Sequence, residues 1–363
     1  MPIDSGTDKP LRTGELHMVR ALNCLILYAA LVVSTGPAAA ALPAFPYPAP
    51  RASSAATKLP KLNANAKGNT TSGVSSGAYM ALQVAVSFSA EFRGAGLIAG
   101  GPWHCAEGSA ATAQDRCMKQ TTKIDVQALV TATRAAAAKG KLDDVRNLAS
   151  ARFYVFGSEK DTVVKSPASE RLKDYLVSFA PASQVQLETS VPSGHGWPTE
   201  NFGNACGTMG IPWMNKCGYD TAGTLLKQLY GSMKPRASAV QASSLKTFDQ
   251  NEFDPNGTAT LAPFGYVYVP KVCEGKTRCR VHVALHGCQM NSDFVQDKFA
   301  MNSGLNEWAE TNEIVVVYPQ VKSSGGNPFS CWDWFGYTGA DYDTKKGEQV
   351  RAIKAMVDRL TSP

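Results

Sequence analysis

The stretch that decides the fold is GVSSGAYMAL at residues 73–82. It holds the only G-x-S-x-G pentapeptide of the chain, centred on Ser75, and a helix-like run follows at once. A serine on a tight turn between a strand and a helix needs small neighbours, because larger side chains would collide with nearby backbone. The pentapeptide alone also occurs in ordinary loops, and residues 69–72 (NTTS) are more polar than a buried central strand usually is. The pattern predicts a strand, a sharp turn at Ser75 and a helix, which together expose a nucleophilic serine.

An acid and a base for this serine follow it along the chain. Asp161 lies in a loop after the apolar run 153–156, with Glu159 as a nearby competitor, and a loop aspartate can also simply cap a turn. His195 lies in a glycine-flanked loop, so the chain order is Ser75, Asp161, His195, as in α/β hydrolases. These residues predict acyl transfer, in which His195 takes the serine proton during attack on an ester carbonyl and Asp161 orients the imidazole.

A second motif predicts the oxyanion hole. The apolar run 281–285 leads into His286-Gly287-Cys288, which is typical of the oxyanion loop of lipases and esterases. The predicted donors are the backbone N–H groups of Ser76 and Cys288. In the usual order this loop precedes the serine, whereas here it follows more than two hundred residues later. The order predicts a circularly permuted sheet.

Apolar runs alternate with helical patterns from residue 68 onward. The predicted strands are 96–99, 153–156, 185–189, 266–269, 281–285 and 314–318, and the predicted helices are 78–89, 124–138, 167–179, 221–230, 302–311 and 347–360. This alternation predicts an α/β fold, with a mostly parallel central sheet and helices on both faces. The polar stretch 232–256 is interpreted as a connector inside a single domain.

The N-terminus predicts a secreted protein. Arg20 precedes the apolar run 21–33, and the small residues 38–41 suit a signal peptidase. The run is short for a permanent membrane helix, so no membrane span is expected in the mature chain. Met18 is a possible true start. The predicted organisation is a signal peptide at 1–40, an extended arm at 41–67 and a catalytic α/β-hydrolase domain at 68–363, with no separate substrate-binding domain.

Cysteine usage agrees with export, because eight of the nine cysteines follow the predicted leader. Three pairs are close neighbours, 105 with 117, 206 with 217 and 273 with 279, which leaves Cys288 to join Cys331. The sequence does not by itself choose among the roughly 105 possible connectivities. No C-x-x-C pair occurs and the histidines show no zinc spacing, so neither a metal nor a cofactor is predicted.

The charge is dispersed. The chain has 36 Lys and Arg against 30 Asp and Glu, a formal net charge of +6, without a dense basic run. A nucleic-acid partner is therefore not predicted, because such a partner needs basic residues clustered along the phosphate backbone. We expect a monomer.

Three motifs in this unusual order, GVSSGAYM at 73–80, LHGC at 285–288 and CWDW at 331–334, resemble extracellular poly(3-hydroxybutyrate) depolymerases with the type 2 catalytic domain. The resemblance spans roughly residue 41 to the C-terminus. It implies the triad and oxyanion donors named above, together with a Cys288–Cys331 disulfide that holds Trp332 beside them. It also implies that Trp332 packs against a polyester chain or 3-hydroxybutyrate oligomers, with Trp334 and Trp197 as weaker candidates.

Other functions remain open at this stage. Another secreted carboxylesterase, of the feruloyl or acetylxylan esterase type, would keep the triad but present polar groups to a sugar. A peptidase would use the same chemistry, and a non-catalytic polymer-binding protein would keep only the scaffold. The sequence favours a depolymerase that is extracellular or periplasmic.

Overall fold

The computed structural model describes residues 56–275 and 277–363. The predicted signal peptide and residues 41–55 of the predicted arm lie outside the described residues. Residues 56–67 contain no helix, and Thr57 forms a bridge with Phe248 at the edge of the main sheet. Leu59 is buried, and the Leu62 backbone N–H donates to the Leu360 carbonyl. This part of the arm therefore packs onto the domain that follows.

Alternating strands and helices build that domain. The strands are β1 Asn69–Val74, β2 Phe92–Ile98, β3 Arg152–Phe156, β4 Val185–Glu188, β5 Trp197–Thr199, β6 Asn204–Ala205, β7 Met214–Lys216, β8 Leu245–Asp249, β9 Phe264–Tyr268, β10 Arg280–Leu285 and β11 Ile314–Tyr318. The helices are α1 Ser76–Ser87, α2 Ala110–Thr112, α3 Val126–Ala138, α4 Ser166–Leu176, α5 Thr221–Tyr230, α6 Ser292–Val295, α7 Lys298–Asn302, α8 Leu305–Asn312 and α9 Glu348–Thr361. Short 3₁₀ segments and a π-helical turn at 113–118 complete the connections.

Eight strands form the central sheet, in the order β4-β3-β2-β1-β10-β11-β9-β8. The pairs from β4 through β11 are parallel, whereas β9 runs antiparallel to both β11 and β8. The strand β10 lies directly beside β1, with Thr70 opposite His282. The prediction of a permuted, mostly parallel α/β-hydrolase sheet is confirmed.

Helices cover both faces of this sheet. A side chain at Gly73 would meet α1, at the carbonyl of Gly77. The neighbouring Ser72 faces the other way. A Cβ on Gly96 would lie 3.2 Å from the Cβ of Ser72 and 3.3 Å from the side chain of Leu225 in α5. Successive strand residues point to opposite faces, so α1 and α5 lie on opposite sides.

The polar central strand β1 is explained by a buried histidine on its neighbour. His282 Nδ1 lies 2.7 Å from Thr70 Oγ1, and its Nε2 lies 2.8 Å from Ser72 Oγ. Thr70 Oγ1 lies 2.6 Å from the hydroxyl of Tyr230. Burial lowers the pKa of His282 to about 3, so the ring is neutral. The hydroxyls of β1 thus have partners inside the core, as buried polar groups require.

Two parts of the structure differ from the sequence expectation. The stretch 232–256, interpreted as a connector, contains the strand β8 at the edge of the sheet, where one side stays accessible and few apolar residues are needed. Residues 197–216 form a separate small parallel sheet, in the order β5-β7-β6. Its strands are two or three residues long, too short to give a periodic signal.

Four disulfides lie within the described residues. They join Cys105 to Cys117, Cys206 to Cys217, Cys273 to Cys279 and Cys288 to Cys331. The first three are the pairs of neighbouring cysteines, and the fourth is the pair that these three leave. Among the helices of the described residues, none is both long and apolar enough to cross a membrane.

Candidate active site

Ser75 occupies a strained turn between β1 and α1. Its φ is 57° and its ψ −123°, a region that L residues rarely adopt, and its N–H donates to the Ile98 carbonyl at 2.9 Å. A Cβ on Gly73 would lie 2.2 Å from the Gly77 carbonyl oxygen, and a Cβ on Gly77 would lie 2.3 Å from that of Leu285. The two glycines are therefore required, because they let the turn, α1 and the end of β10 approach one another.

Asp161 and His195 form a buried pair. His195 Nδ1 lies 2.7 Å from Asp161 Oδ2, and the two residues are 6% and 5% exposed. The other carboxylate oxygen accepts the N–H groups of Val163 at 2.8 Å and Val164 at 2.9 Å. The bond at Nδ1 leaves Nε2 as the ring nitrogen available for proton transfer. Glu159, the competitor in sequence, is solvent-exposed.

The loop that carries His195 is held by the small sheet that the sequence did not predict. The Gly194 N–H donates to the Cys206 carbonyl at 2.7 Å, and Asn215 Nδ2 donates to the Gly194 carbonyl at 2.8 Å. The ring of Trp213 lies edge-on to the imidazole, with centroids 5.9 Å apart. The Cys206–Cys217 disulfide closes the segment that supplies all three contacts.

The loop after β10 lies against the serine. A Cβ on Gly287 would lie 3.3 Å from the Cβ of Ser75. His286 is fully buried, and its Nε2 accepts the Val321 N–H at 3.3 Å, so Nδ1 carries the proton and donates to the Gly287 carbonyl at 2.7 Å. Burial lowers the pKa of His286 to about 4. The Cys288–Cys331 disulfide, with Cα atoms 4.2 Å apart, ties the loop to the CWDW segment.

Trp332, which the resemblance places against the polyester, is a core residue in the structure. Its side chain is fully buried and does not line the cavity above Ser75. The backbone N–H of Trp332 donates to Ser76 Oγ at 3.3 Å, and its ring tilts over that of His286 with centroids 5.5 Å apart. Trp332 therefore contacts the serine turn through its backbone and the loop after β10 through its ring. Trp334, the weaker candidate, lines the cavity and stacks on Tyr79 at 4.1 Å.

Trp197, the third tryptophan considered, is also a core residue. It is fully buried, and its Nε1 donates to the Ser303 carbonyl at 3.0 Å. Its burial and its satisfied N–H leave it no part in the cavity.

Ser75 and His195 line one cavity of about 430 Å³, which also reaches Gly287 and Cys288. Most of its wall is apolar, as in sites that bind small organic ligands. The large apolar lining residues are Tyr79, Met118, Val163, Trp213, Met290, Phe329, Trp334 and Phe335. Phe329 is 47% exposed. The cavity therefore suits a largely uncharged, hydrocarbon-rich ligand that reaches the serine from solvent.

The sheet and the serine turn define an α/β hydrolase. Residues 265–361 match the family model described as Esterase PHB depolymerase. A poly(3-hydroxybutyrate) depolymerase from Delftia acidovorans is 43% identical over 313 residues, covering 85% of this chain and 62% of the relative. A polyhydroxybutyrate depolymerase from Talaromyces funiculosus is 35% identical over 325 residues, covering 85% of this chain and 94% of the relative.

Two solved structures are similar as well. The PHB depolymerase from Penicillium funiculosum is 33% identical with a TM-score of 0.78. A serine-to-alanine variant of a PHB depolymerase, complexed with an R3HB trimer, is 32% identical with a TM-score of 0.77. Each comparison covers 84% of this chain and 99% of the solved one. The chain belongs to the poly(3-hydroxybutyrate) depolymerase family, so the resemblance predicted from three motifs is confirmed. The chain spans less than two thirds of the length of the Delftia acidovorans relative.

Proposed function

We propose that this chain is a secreted serine esterase that hydrolyses the ester bonds of poly(3-hydroxybutyrate) and its oligomers through an acyl-enzyme on Ser75. One observation carries the proposal: Ser75, on its strained turn, and His195, paired with buried Asp161, line the same apolar cavity in a chain of the depolymerase family.

In the first step, Ser75 Oγ attacks the carbonyl carbon of an ester in the polymer. His195 Nε2 accepts the serine proton, and Asp161 stabilises the resulting imidazolium through the 2.7 Å bond to Nδ1. The two backbone N–H groups on Asp161 Oδ1 hold the carboxylate in place beside the ring. The imidazolium then returns the proton to the departing alcohol oxygen, which is the hydroxyl end of one polymer fragment.

Negative charge on the carbonyl oxygen has to be stabilised during that attack. We assign this role to the backbone N–H groups of Ser76 and Cys288, because the glycine contacts bring the loop after β10 against the serine turn. Buried His286 and the disulfide to Cys331 hold that loop in place. A fixed donor of this kind typically contributes about 3 kcal/mol or more to the rate.

Water completes the cycle. His195 takes a proton from a water molecule, the hydroxide adds to the acyl carbon, and Ser75 leaves with the proton returned by the imidazolium. The product is a 3-hydroxybutyrate unit or oligomer with a free carboxylate. The ionised product is poorly matched to a largely apolar cavity, which favours its release.

The cavity wall supports a polyester as substrate. Poly(3-hydroxybutyrate) is uncharged and presents a methyl and a methylene in every unit, which pack well on aromatic rings. Trp334, stacked on Tyr79, offers such a surface, and Phe329 continues it toward solvent. A sugar ester would instead need several fixed polar partners.

Secretion is supported by the cysteines. The described residues contain four disulfides, and such bonds persist in oxidising compartments. The signal-peptide pattern in residues 1–40 agrees with this location.

The test is release of 3-hydroxybutyrate from amorphous poly(3-hydroxybutyrate) by the purified mature chain, beside a feruloyl ester. We expect release by the wild type, loss in Ser75→Ala, and a fall of about 10⁴ in kcat for Asp161→Asn. Glu159→Gln, the exposed neighbour, is the matched control and should keep full activity. Cleavage of the feruloyl ester without any 3-hydroxybutyrate release would overturn the polyester assignment and leave a general esterase.

A further inference from the structure

A second cavity lies at the opposite end of the central sheet from Ser75. It has a volume of about 340 Å³, and four of its lining residues are basic. Arg152 begins β3, Arg93 is the second residue of β2, Lys67 lies just before β1 and Arg280 begins β10. These strands are neighbours in the order β3-β2-β1-β10, so the four cations form a row across the sheet. A strand of six residues is about 20 Å long, which separates this basic cavity from the serine at the other strand ends.

Among the residues that the structure describes, the four cations have no carboxylate partners. Within the described residues, no Asp or Glu oxygen lies within 4 Å of the charged nitrogens of Lys67, Arg93, Arg152 or Arg280, and no acidic residue lines the cavity. Elsewhere in the protein, arginines such as Arg116 do pair with acids. Like charges gathered in one concavity repel each other, and a bound anion removes that repulsion.

One of the cations is already fixed in position. Arg280 donates from its terminal nitrogen to the Asn312 carbonyl at 2.9 Å, and its guanidinium lies 4.2 Å from the centre of the Tyr230 ring. Tyr230 is held in turn by Thr70, 2.6 Å from its hydroxyl. Arg93 and Arg152 are exposed side chains that can fold over a ligand. The cavity thus combines a preorganised donor with two adaptable ones.

We propose that this basic cavity binds a compact, multiply charged oxyanion of the phosphate class. Guanidinium groups match such oxygens bidentately, and three of the four cations are arginines. Asn65 and Ser150 add uncharged polar groups to the wall. The cations surround a concavity instead of following an extended track, so the shape fits a small anion better than a polyanionic chain. The site is separate from ester hydrolysis and does not depend on the proposed function.

The experiment titrates inorganic pyrophosphate into the purified chain by isothermal calorimetry, at pH 7 and low ionic strength. We expect one site, and binding about tenfold weaker or more in the double variant Arg93→Ala/Arg152→Ala. The matched control is Arg146→Ala/Arg171→Ala, which removes two exposed arginines paired with aspartates outside the cavity. Both double variants lower the net charge equally and should keep ester hydrolysis, which shows that they are folded.

Three results would overturn the proposal. Pyrophosphate producing no more heat than sodium chloride of equal ionic strength would mean that the cavity holds no specific site. Equal weakening in both double variants would mean that only the overall positive field attracts the anion. Sedimentation with phosphatidylglycerol vesicles, without binding of free pyrophosphate, would assign these cations to a membrane surface.

Discussion

Replacing His282 with glutamine will reduce the loss of stability that this protein suffers in acid. Burial lowers the pKa of His282 to about 3 in the folded state, whereas an unfolded histidine has a pKa of about 6.5. Because the folded pKa is depressed, the stability that neutral His282 contributes is complete above pH 6.5 and is lost as the pH falls toward 3. Glutamine does not titrate, and its amide can still hydrogen-bond to the hydroxyls of Thr70 and Ser72 that His282 now contacts.

The size of the effect follows from proton uptake. Between pH 7 and pH 4.5 the unfolded chain binds almost one proton at this position and the folded chain almost none, so the free energy of unfolding falls by about 2.5 kcal/mol. His286, with a folded pKa of about 4, adds a similar loss of about 2.4 kcal/mol. The wild type therefore loses about 5 kcal/mol from these two rings, and His282→Gln about half of that.

The assay is urea unfolding of both proteins at pH 7.0 and pH 4.5 with the disulfides intact, followed by tryptophan fluorescence. Within each protein, the free energy of unfolding at pH 4.5 is subtracted from that at pH 7.0, which removes the constant cost of the substitution. Comparing the two differences then removes the contribution of the titrating groups that both proteins share. Equal pH dependence in the two proteins would refute the reasoning, because it would mean that His282 binds a proton in the folded core as readily as in the unfolded chain.

Three further substitutions test other parts of the structure. Gly77→Ala places a Cβ 2.3 Å from the Leu285 carbonyl oxygen, so the loop after β10 must move. We expect kcat on p-nitrophenyl butyrate to fall about 100-fold, and an unchanged kcat would contradict the role proposed for this loop in the oxyanion hole. The bond to Asp343 raises the pKa of His104, so this bond stabilises the fold only below that pKa. The free energy of unfolding of His104→Gln should therefore be lower than that of the wild type at pH 5.5 and nearly equal to it at pH 8.5. A larger difference between the two proteins at pH 8.5 than at pH 5.5 would contradict this direction of the pKa shift. Trp334→Ala should raise KM for hydroxybutyrate oligomers about tenfold with kcat nearly unchanged, and an unaltered KM would remove this ring from the substrate surface.

Much of the sheet was accessible from the sequence because its strands are short apolar runs. The residues of β11 and β10 are almost all buried, and their unbroken hydrophobicity marks them clearly. The helix α5 was predicted with its observed bounds, Thr221–Tyr230. The strand β1 gave no such signal, because its polarity is compensated by His282, which lies far away in the chain.

The candidate site was only partly accessible. Ser75 and the Asp161–His195 pair belong to local motifs with a fixed chain order, which short stretches of sequence can carry. The support of His195 by Trp213 and Asn215 depends on a small sheet whose strands are too short for any periodicity. The motif CWDW does not by itself say which of its two alternating tryptophans points into the core, and in the structure Trp332 is buried whereas Trp334 lines the cavity.

The position of β10 beside β1 also determines when the enzyme can first work. As the chain is synthesised, Ser75 and His195 are both made before β10, the strand that pairs with β1, and before Cys288 in the loop after it. Contacts between such distant segments form slowly, because closing the long loop between them costs entropy before the contacts stabilise the fold. An unfinished chain thus lacks the Cys288 N–H that we propose as an oxyanion donor, so we expect hydrolysis to begin only after β10 and the loop that follows it have been made.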